Sequence, residues 1–277
     1  MHSSLSPAAT PLPAYSDSNG QPDLLDSLVA YLDELGTSQK ILRMTTQDLR
    51  SDLERYKRLL WFLDGDPTAG GDDGERDSPE GKAYVLNAFT DNLSLCRPLR
   101  APGDPDDVDA HRLFVFLQGI ALYQGNTVCS GTLLRGAITR GRAYAKPGYV
   151  TGPAHLAAVI AEETTVIYPK VMVDRDVVRL VDDALAADPE ANELFDGLLI
   201  KDKEDGEYYL DYLLLLICED APPPKDVRGI LAKHRRVVLR ELQHCSDPSA
   251  RKKLEWLARY HDGVCDRLGV PHLKEPW

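Results

Sequence analysis

Leu28-Val29-Ala30-Tyr31-Leu32-Asp33-Glu34-Leu35-Gly36 is a short apolar run that ends in two acids and a glycine. Such a run suits a buried β-strand whose carboxyl end opens into a turn. Downstream, Leu42, Leu49, Leu53, Tyr56, Leu59 and Leu60 recur at helical spacing with Arg, Asp and Glu between them, which predicts a helix to about Leu63. Ala83 to Phe89 and Leu93 to Leu99 read as two strands joined by Thr90-Asp91-Asn92, the polar residues a hairpin turn prefers. A helix is predicted from Asp109 to about Cys129, where Leu113, Phe116, Leu117, Ile120 and Leu122 share a face. A strand follows over Gly131 to Gly141, then a helix over 152–166 with Pro153 in its first turn, and a last strand over Tyr168 to Val173. The order is strand, helix, hairpin, helix, strand, helix, strand. It predicts an α+β layer, an antiparallel-rich sheet covered by helices.

Upstream, residues 1–22 are rich in Ser, Pro, Ala and Gly without an apolar period and are expected to be a disordered tail. Residues 65–80 read as a polar, acidic loop. Residues 23–174 form the expected catalytic domain. Residues 175–277 form a helical C-terminal extension packed on it, with Leu210–Cys218, Val227–His244 and Arg251–Leu268 as its helices. No internal repeat is visible.

The bulk numbers exclude several functions. A chain of 277 residues with 43% hydrophobic and 27% charged residues buries one sizeable core. A net charge of −12 argues against sequence-independent nucleic-acid binding, which needs clustered Lys and Arg. Bound Mg²⁺ or Mn²⁺ can still mediate between carboxylates and a triphosphate. Five widely spaced cysteines without a C-x-x-C pair point to buried free thiols. Leu213–Ile217, the longest apolar run, is far short of the ~20 residues that span a bilayer. With no leader read either, no membrane contact and a cytoplasmic location are expected. His234, His244 and His261 lack metal-ligand spacing and are assigned core or surface roles.

Asp33 at the end of the first strand and Asp91 at the hairpin tip become neighbours if those strands lie side by side. Two carboxylates on rigid elements are what two-metal phosphoryl chemistry requires. Each alone is ordinary turn chemistry. The surrounding residues narrow the choice: Ala30 to Gly36 resembles the "Y-x-D-x-L-G" opening of the bacterial pyrimidine nucleotide cyclases of phage defence, and Phe89-Thr90-Asp91-Asn92 resembles their "F-S-D-N" hairpin. Leu134 to Gly141 is similar to their "RG-x-I-x-x-G" strand, and Gly152-Pro153-Ala154, Glu162 and Tyr168-Pro169-Lys170-Val171 to their "GPA...E...YPR-I" segment. The C-terminal third is similar more loosely, through Lys201 to Leu213 and Trp256 to His261.

The resemblance implies a class III nucleotidyl cyclase-like fold, a ferredoxin-like βαββαβ sheet, and cyclisation of UTP or CTP to a 3′,5′-cyclic mononucleotide with release of pyrophosphate. It implies two divalent ions per site, Mn²⁺ or Mg²⁺, held by Asp33, Asp91 and the backbone carbonyl of Glu34. It further implies a homodimer and a cyclic product that acts on a separate effector protein. Backbone N–H groups near Gly36, Thr37 and Ser38 would meet the β- and γ-phosphates. Many purine cyclases carry an Asn and an Arg where this chain has Leu156 and Ile160. Transition-state charge must then meet another cation, with Arg135, Lys170, Arg97, Arg142 and Lys146 as candidates. Arg135 is the catalytic choice, although pairing across the sheet is its alternative role. Asn87, four residues before Asp91, is the expected base contact, with Tyr31 and Tyr149 restricting or stacking on the base. The competing readings are a silent cyclase-like module that binds a nucleotide and regulates a partner, and a nucleotidyltransferase of another class.

Overall fold

The protein is described by a computed structural model that covers residues 15–17, 19–36, 41–64, 84–100, 110–188, 192–218 and 226–272. The 65–80 loop, Thr37, Ser38, Asp109 and the first fourteen residues lie outside the described residues.

Strand β1 (Leu25–Leu35) is the centre of the architecture. Its alternation sends Leu28, Ala30 and Leu32 to one face of the sheet and Val29 to the other, and all four are buried. Helix α1 (Thr46–Asp64) leads to the hairpin of β2 (Val85–Phe89) and β3 (Asn92–Pro98), and helix α2 (Ala110–Cys129) returns the chain to β4 (Leu133–Lys146). The strands lie in the order β2-β3-β1-β4, with β1 antiparallel to both β3 and β4. This is the ferredoxin-like βαββαβ arrangement. Leu113, Phe116, Leu117 and Ile120 of α2 pack with Leu28, Ala30 and Leu32 in the main core.

A short strand β5 (Tyr149–Thr151) folds back on β4, and helix α3 (Pro153–Thr164) crosses the opposite face to β6 (Val171–Val173), which runs parallel to β4. Gly152 opens α3 at φ +124°, and a Cβ there would meet Arg142 O at 2.7 Å. Ala154 and Ala158 let the helix sit close over β1 and β4 in a second, smaller core with Val29, Cys96 and Ala143. Tyr15 is buried in that core and Ser16 bridges to Pro22, so this part of the expected tail is folded against the sheet.

The expected last strand is not the last. After helices α4 (Arg175–Ala187) and α5 (Asn192–Phe195), strands β7 (Leu199–Lys201) and β8 (Tyr208–Leu210) continue the sheet as β4-β6-β8-β7. The C-terminal third therefore extends the sheet before it becomes helical in α6 (Tyr212–Cys218), α7 (Val227–His244) and α8 (Pro248–Arg267). The result is a mixed α+β fold with a mostly antiparallel eight-stranded sheet.

Lys170 fastens this extension. Its ammonium is buried and lies 2.6 Å from both Asp202 Oδ2 and Asp205 Oδ2 of the β7–β8 turn. The rings of Tyr168, Tyr209 and Trp256 surround it at 5.3–5.7 Å, and Trp256 Nε1 donates to Asp202 Oδ2. A charge so placed is a structural tie, which removes Lys170 from the candidate phosphate-binding cations. His234 and His261 also meet inside the extension, with Nδ1 atoms 3.1 Å apart and rings stacked. Of the described cysteines, Cys96 and Cys265 are buried free thiols, whereas Cys129 and Cys245 are partly exposed.

Lys170→Met leaves Asp202 and Asp205 without their cation. It is expected to destabilise the fold by about 3–5 kcal/mol, read by chemical denaturation. The buried histidines set an acid limit. Burial lowers the pKa of His261 to about 4 and that of His234 well below the usual value. The unfolded chain therefore binds more protons than the native one below about pH 6.5, and stability falls as pH drops toward about 4. His261→Gln is expected to flatten the decline of melting temperature with acidification.

Candidate active site

β1 and the β2–β3 hairpin bring their acids together at one end of the sheet. Asp33 pairs with Asn92 on β3 and with Arg135 on β4. Glu34 N donates to Asp91 O at 3.0 Å, which fixes the hairpin tip to the end of β1. Within the tip, the Thr90 hydroxyl and Asn92 Nδ2 both donate to Asp91 Oδ1, at 2.9 and 3.2 Å. Thr90 has φ +41°, and no other non-glycine among the described residues has a positive φ. A β-branched residue there is strained. The strain is localised at the residue that aims Asp91.

Arg135 Nε lies 3.4 Å from Asp33 Oδ2 and 2.5 Å from Glu162 Oε1, and Nη1 donates to Val166 O. Glu162, in α3, is only 3% exposed. Burial raises the pKa of Glu162 and of Asp33 against the lowering effect of Arg135, and the neighbouring Asp91 charge raises Asp33 further. The adjoining Gly136 has no room for a side chain, because a Cβ would meet Tyr31 O at 2.4 Å. That close approach seats Arg135 beside β1.

Glu34 points to the opposite face, where its carboxylate lies 3.3 Å from Arg55. Arg55 also lines a cleft of about 540 Å³ between α1 and the turn before β4, a cleft that contains neither Asp33 nor Asp91. Gly36 turns the chain at φ +78° with open space around it. Asn87 is buried and used at both ends by the β4–β5 turn: its Oδ1 accepts from Gly148 N at 2.6 Å and its Nδ2 donates to Tyr149 O. The amide expected to read a base instead ties down the turn that bears Tyr149, whose ring is half exposed. Tyr31, in register with Ser94, lies one row from Asp33 and packs edge-on against His155. Arg97, paired with Leu28, and Arg142, paired with Asp26, sit five or more residues down the strands from Asp33. At ~3.3 Å per residue they are on the order of 17 Å and 23 Å away, respectively. Of the cations proposed from sequence, Arg135 is the one opposite Asp33.

Two residues of this face have no role in the sequence analysis. Glu162 continues the buried stripe of Ala154 and Ala158 at four-residue intervals, so a carboxylate facing inward was legible there. His155, whose Nε2 lies 3.1 Å from Ser94 Oγ, left no such signal.

Among the described residues no set of three or more His, Cys, Asp or Glu converges on one point. Two carboxylates suffice for a Mg²⁺-type ion that takes its remaining ligands from water and substrate phosphates. The guanidinium already beside Asp33 marks the position as one that accepts a cation. The two carboxylates are oxygen donors of the kind such ions take.

No family model matches the chain, and no curated protein matches it. Among solved structures it is similar to that of a bacterial light-regulated adenylyl cyclase, at 10% identity and a TM-score of 0.40 over 78% of this chain. The match spans 59% of that structure's chain. No described helix is long and apolar enough to cross a membrane.

Because burial raises the pKa of Asp33 above its usual value, its ionised form opposes folding in the metal-free protein. The native state then binds more protons than the unfolded state between the two pKa values, and stability falls as pH rises through that window. Asp33→Asn is expected to raise the metal-free melting temperature at pH 7, on the order of 1–2 °C, with the gain vanishing toward pH 4.

Proposed function

We propose that the chain is a nucleotidyl cyclase that converts a pyrimidine nucleoside triphosphate, UTP or CTP, to its 3′,5′-cyclic monophosphate and pyrophosphate. The observation that supports this best is Asp33 and Asp91 fixed at one end of the sheet, with Arg135 in register beside them. In the reaction the ribose 3′-oxygen attacks the α-phosphorus, the bond to the β-phosphate oxygen breaks, and pyrophosphate leaves. Two Mn²⁺ or Mg²⁺ ions, when bound, would supply the positive charge that favours ionisation of the attacking hydroxyl and offsets the charge of the triphosphate. Asp33, Asp91 and the Glu34 carbonyl hold them in this proposal, while the Glu34 side chain stays with Arg55. Arg135 is the cation for charge that develops at the transferring phosphorus. The backbone beside Gly36 meets the outer phosphates, Tyr31 and Tyr149 flank the base, and Asn87 shapes the base site through the turn it holds.

The pyrimidine preference, the role in phage defence and the separate effector rest on the family resemblance. A homodimer is part of the same proposal. Phe89, Tyr149, Leu156, Ile160 and Ile167 are large apolar residues that remain 49–59% exposed on elements that bear or flank the site. An exposed apolar group of this kind suits a second copy of the chain. Leu156 and Ile160 also favour the silent-module reading, because they stand where many purine cyclases carry polar catalytic residues.

Purified protein incubated with each ribonucleoside triphosphate and Mn²⁺ is expected to yield one cyclic pyrimidine product by mass spectrometry. Asp33→Ala and Asp91→Ala should each lower the rate by at least about 10³-fold with the fold intact by circular dichroism. Retained turnover in both variants would overturn the assignment. Nucleotide binding without any product would favour the silent module.

A further inference from the structure

Arg135 is shared by two carboxylates of different character. Asp33 is 20% exposed at the end of the sheet, whereas Glu162 is 3% exposed behind it. Glu162 occupies an unfavourable place for a carboxylate: it is buried, and it lies in the last turn of α3, where the helix presents the negative end of its dipole. Although Arg135 Nε is 2.5 Å away, Glu162 Oε1 accepts no aligned hydrogen bond. The guanidinium is therefore held as a close ion pair by Glu162 while its aligned, longer contact of 3.4 Å goes to Asp33.

We propose that Arg135 is an exchangeable counter-ion of the Asp33 metal site and that Glu162 is the positioning residue that receives it. Without metal, Arg135 neutralises Asp33. When a divalent cation takes that carboxylate, repulsion from the dication drives the guanidinium wholly onto Glu162. The arginine then completes the hydrogen bonding of the buried acid and stays beside the reacting phosphate instead of swinging into solvent. The alanine stripe below Glu162 serves this arrangement, because small residues at 154 and 158 let α3 approach β4 closely enough for the acid to reach Arg135. The proposal rests on the metal-binding role given to Asp33 above.

The test is Mn²⁺ binding to the full chain without nucleotide, followed by electron paramagnetic resonance of the free ion at fixed ionic strength and pH 7.5. Arg135→Gln removes the competitor and is expected to tighten Mn²⁺ binding about fivefold. Glu162→Gln removes the receiving seat, holds Arg135 on Asp33, and is expected to weaken binding about fivefold. The double variant decides the matter. If Glu162 acts through Arg135, the double variant binds like Arg135→Gln alone. If the two charges act independently on the ion, their effects add and the double variant returns to the wild-type affinity, which overturns the exchange. An unchanged affinity in Glu162→Gln overturns it equally. Asp33→Asn separates this failure from that of the underlying reading. If the wild type binds no Mn²⁺, or Asp33→Asn leaves binding unchanged, the metal site and the exchange fall together. If binding depends on Asp33 but the double variant is additive, the exchange alone falls.

Discussion

The register that seats β1 between β3 and β4 governs everything at the carboxyl end of the sheet. Strand side chains alternate with a period of two, so a slip of one residue would turn Asp33 into the apolar layer under α2 and put Leu32 beside Arg135. Two features pin the register. Leu28, Ala30 and Leu32 must all enter the main core, and Gly136 lets β4 approach Tyr31 O more closely than any side chain allows. The hairpin is fixed to the same register by the bond from Glu34 N to Asp91 O. Hydrophobic patterning and one glycine therefore decide which charges meet.

What the sequence revealed, and what it hid, follows from how each element is stabilised. β1, the hairpin, α2 and α3 carry their own signals: an apolar run closed by turn residues, polar tip residues, a helical stripe, and a proline at a helix start. β7 and β8 have three residues each, too few to show a period, and they are bounded by the acids of Lys201 to Glu207. In the sequence those acids carried only a loose family similarity, yet two of them are the partners of Lys170. A distant lysine and three aromatic rings hold the turn between these strands through Asp202 and Asp205. Tyr15 is hidden in the same way, as a lone aromatic in a Ser- and Pro-rich stretch that packs against residues far along the chain.

The candidate site divides along the same line. Asp33, Asp91 and Arg135 lie on strand ends whose pairing follows from the predicted order of elements. Asn87 was placed correctly on β2, yet the use of its amide depends on where a turn some 60 residues later comes to rest. The His234–His261 contact has the same origin, since 27 residues separate two rings that meet only once α7 and α8 pack. Spacing in the chain reports neighbours within one element. Contacts between elements have to be read from the fold.

The strain at Thr90 and the burial of Glu162 oppose stability in different ways, and both lie within the region of Asp33 and Asp91. Glycine at position 90 would adopt the positive φ without strain. It would also remove the hydroxyl that donates to Asp91 Oδ1. An apolar residue at position 162 would extend the alanine stripe without a buried charge, but Arg135 would lose the acid that holds it near the sheet. Each departure from the most stable choice keeps a charged group at a defined point. Conflict between local preference and tertiary placement is expected where a protein holds charge for chemistry. Here both conflicts converge on the same end of β1.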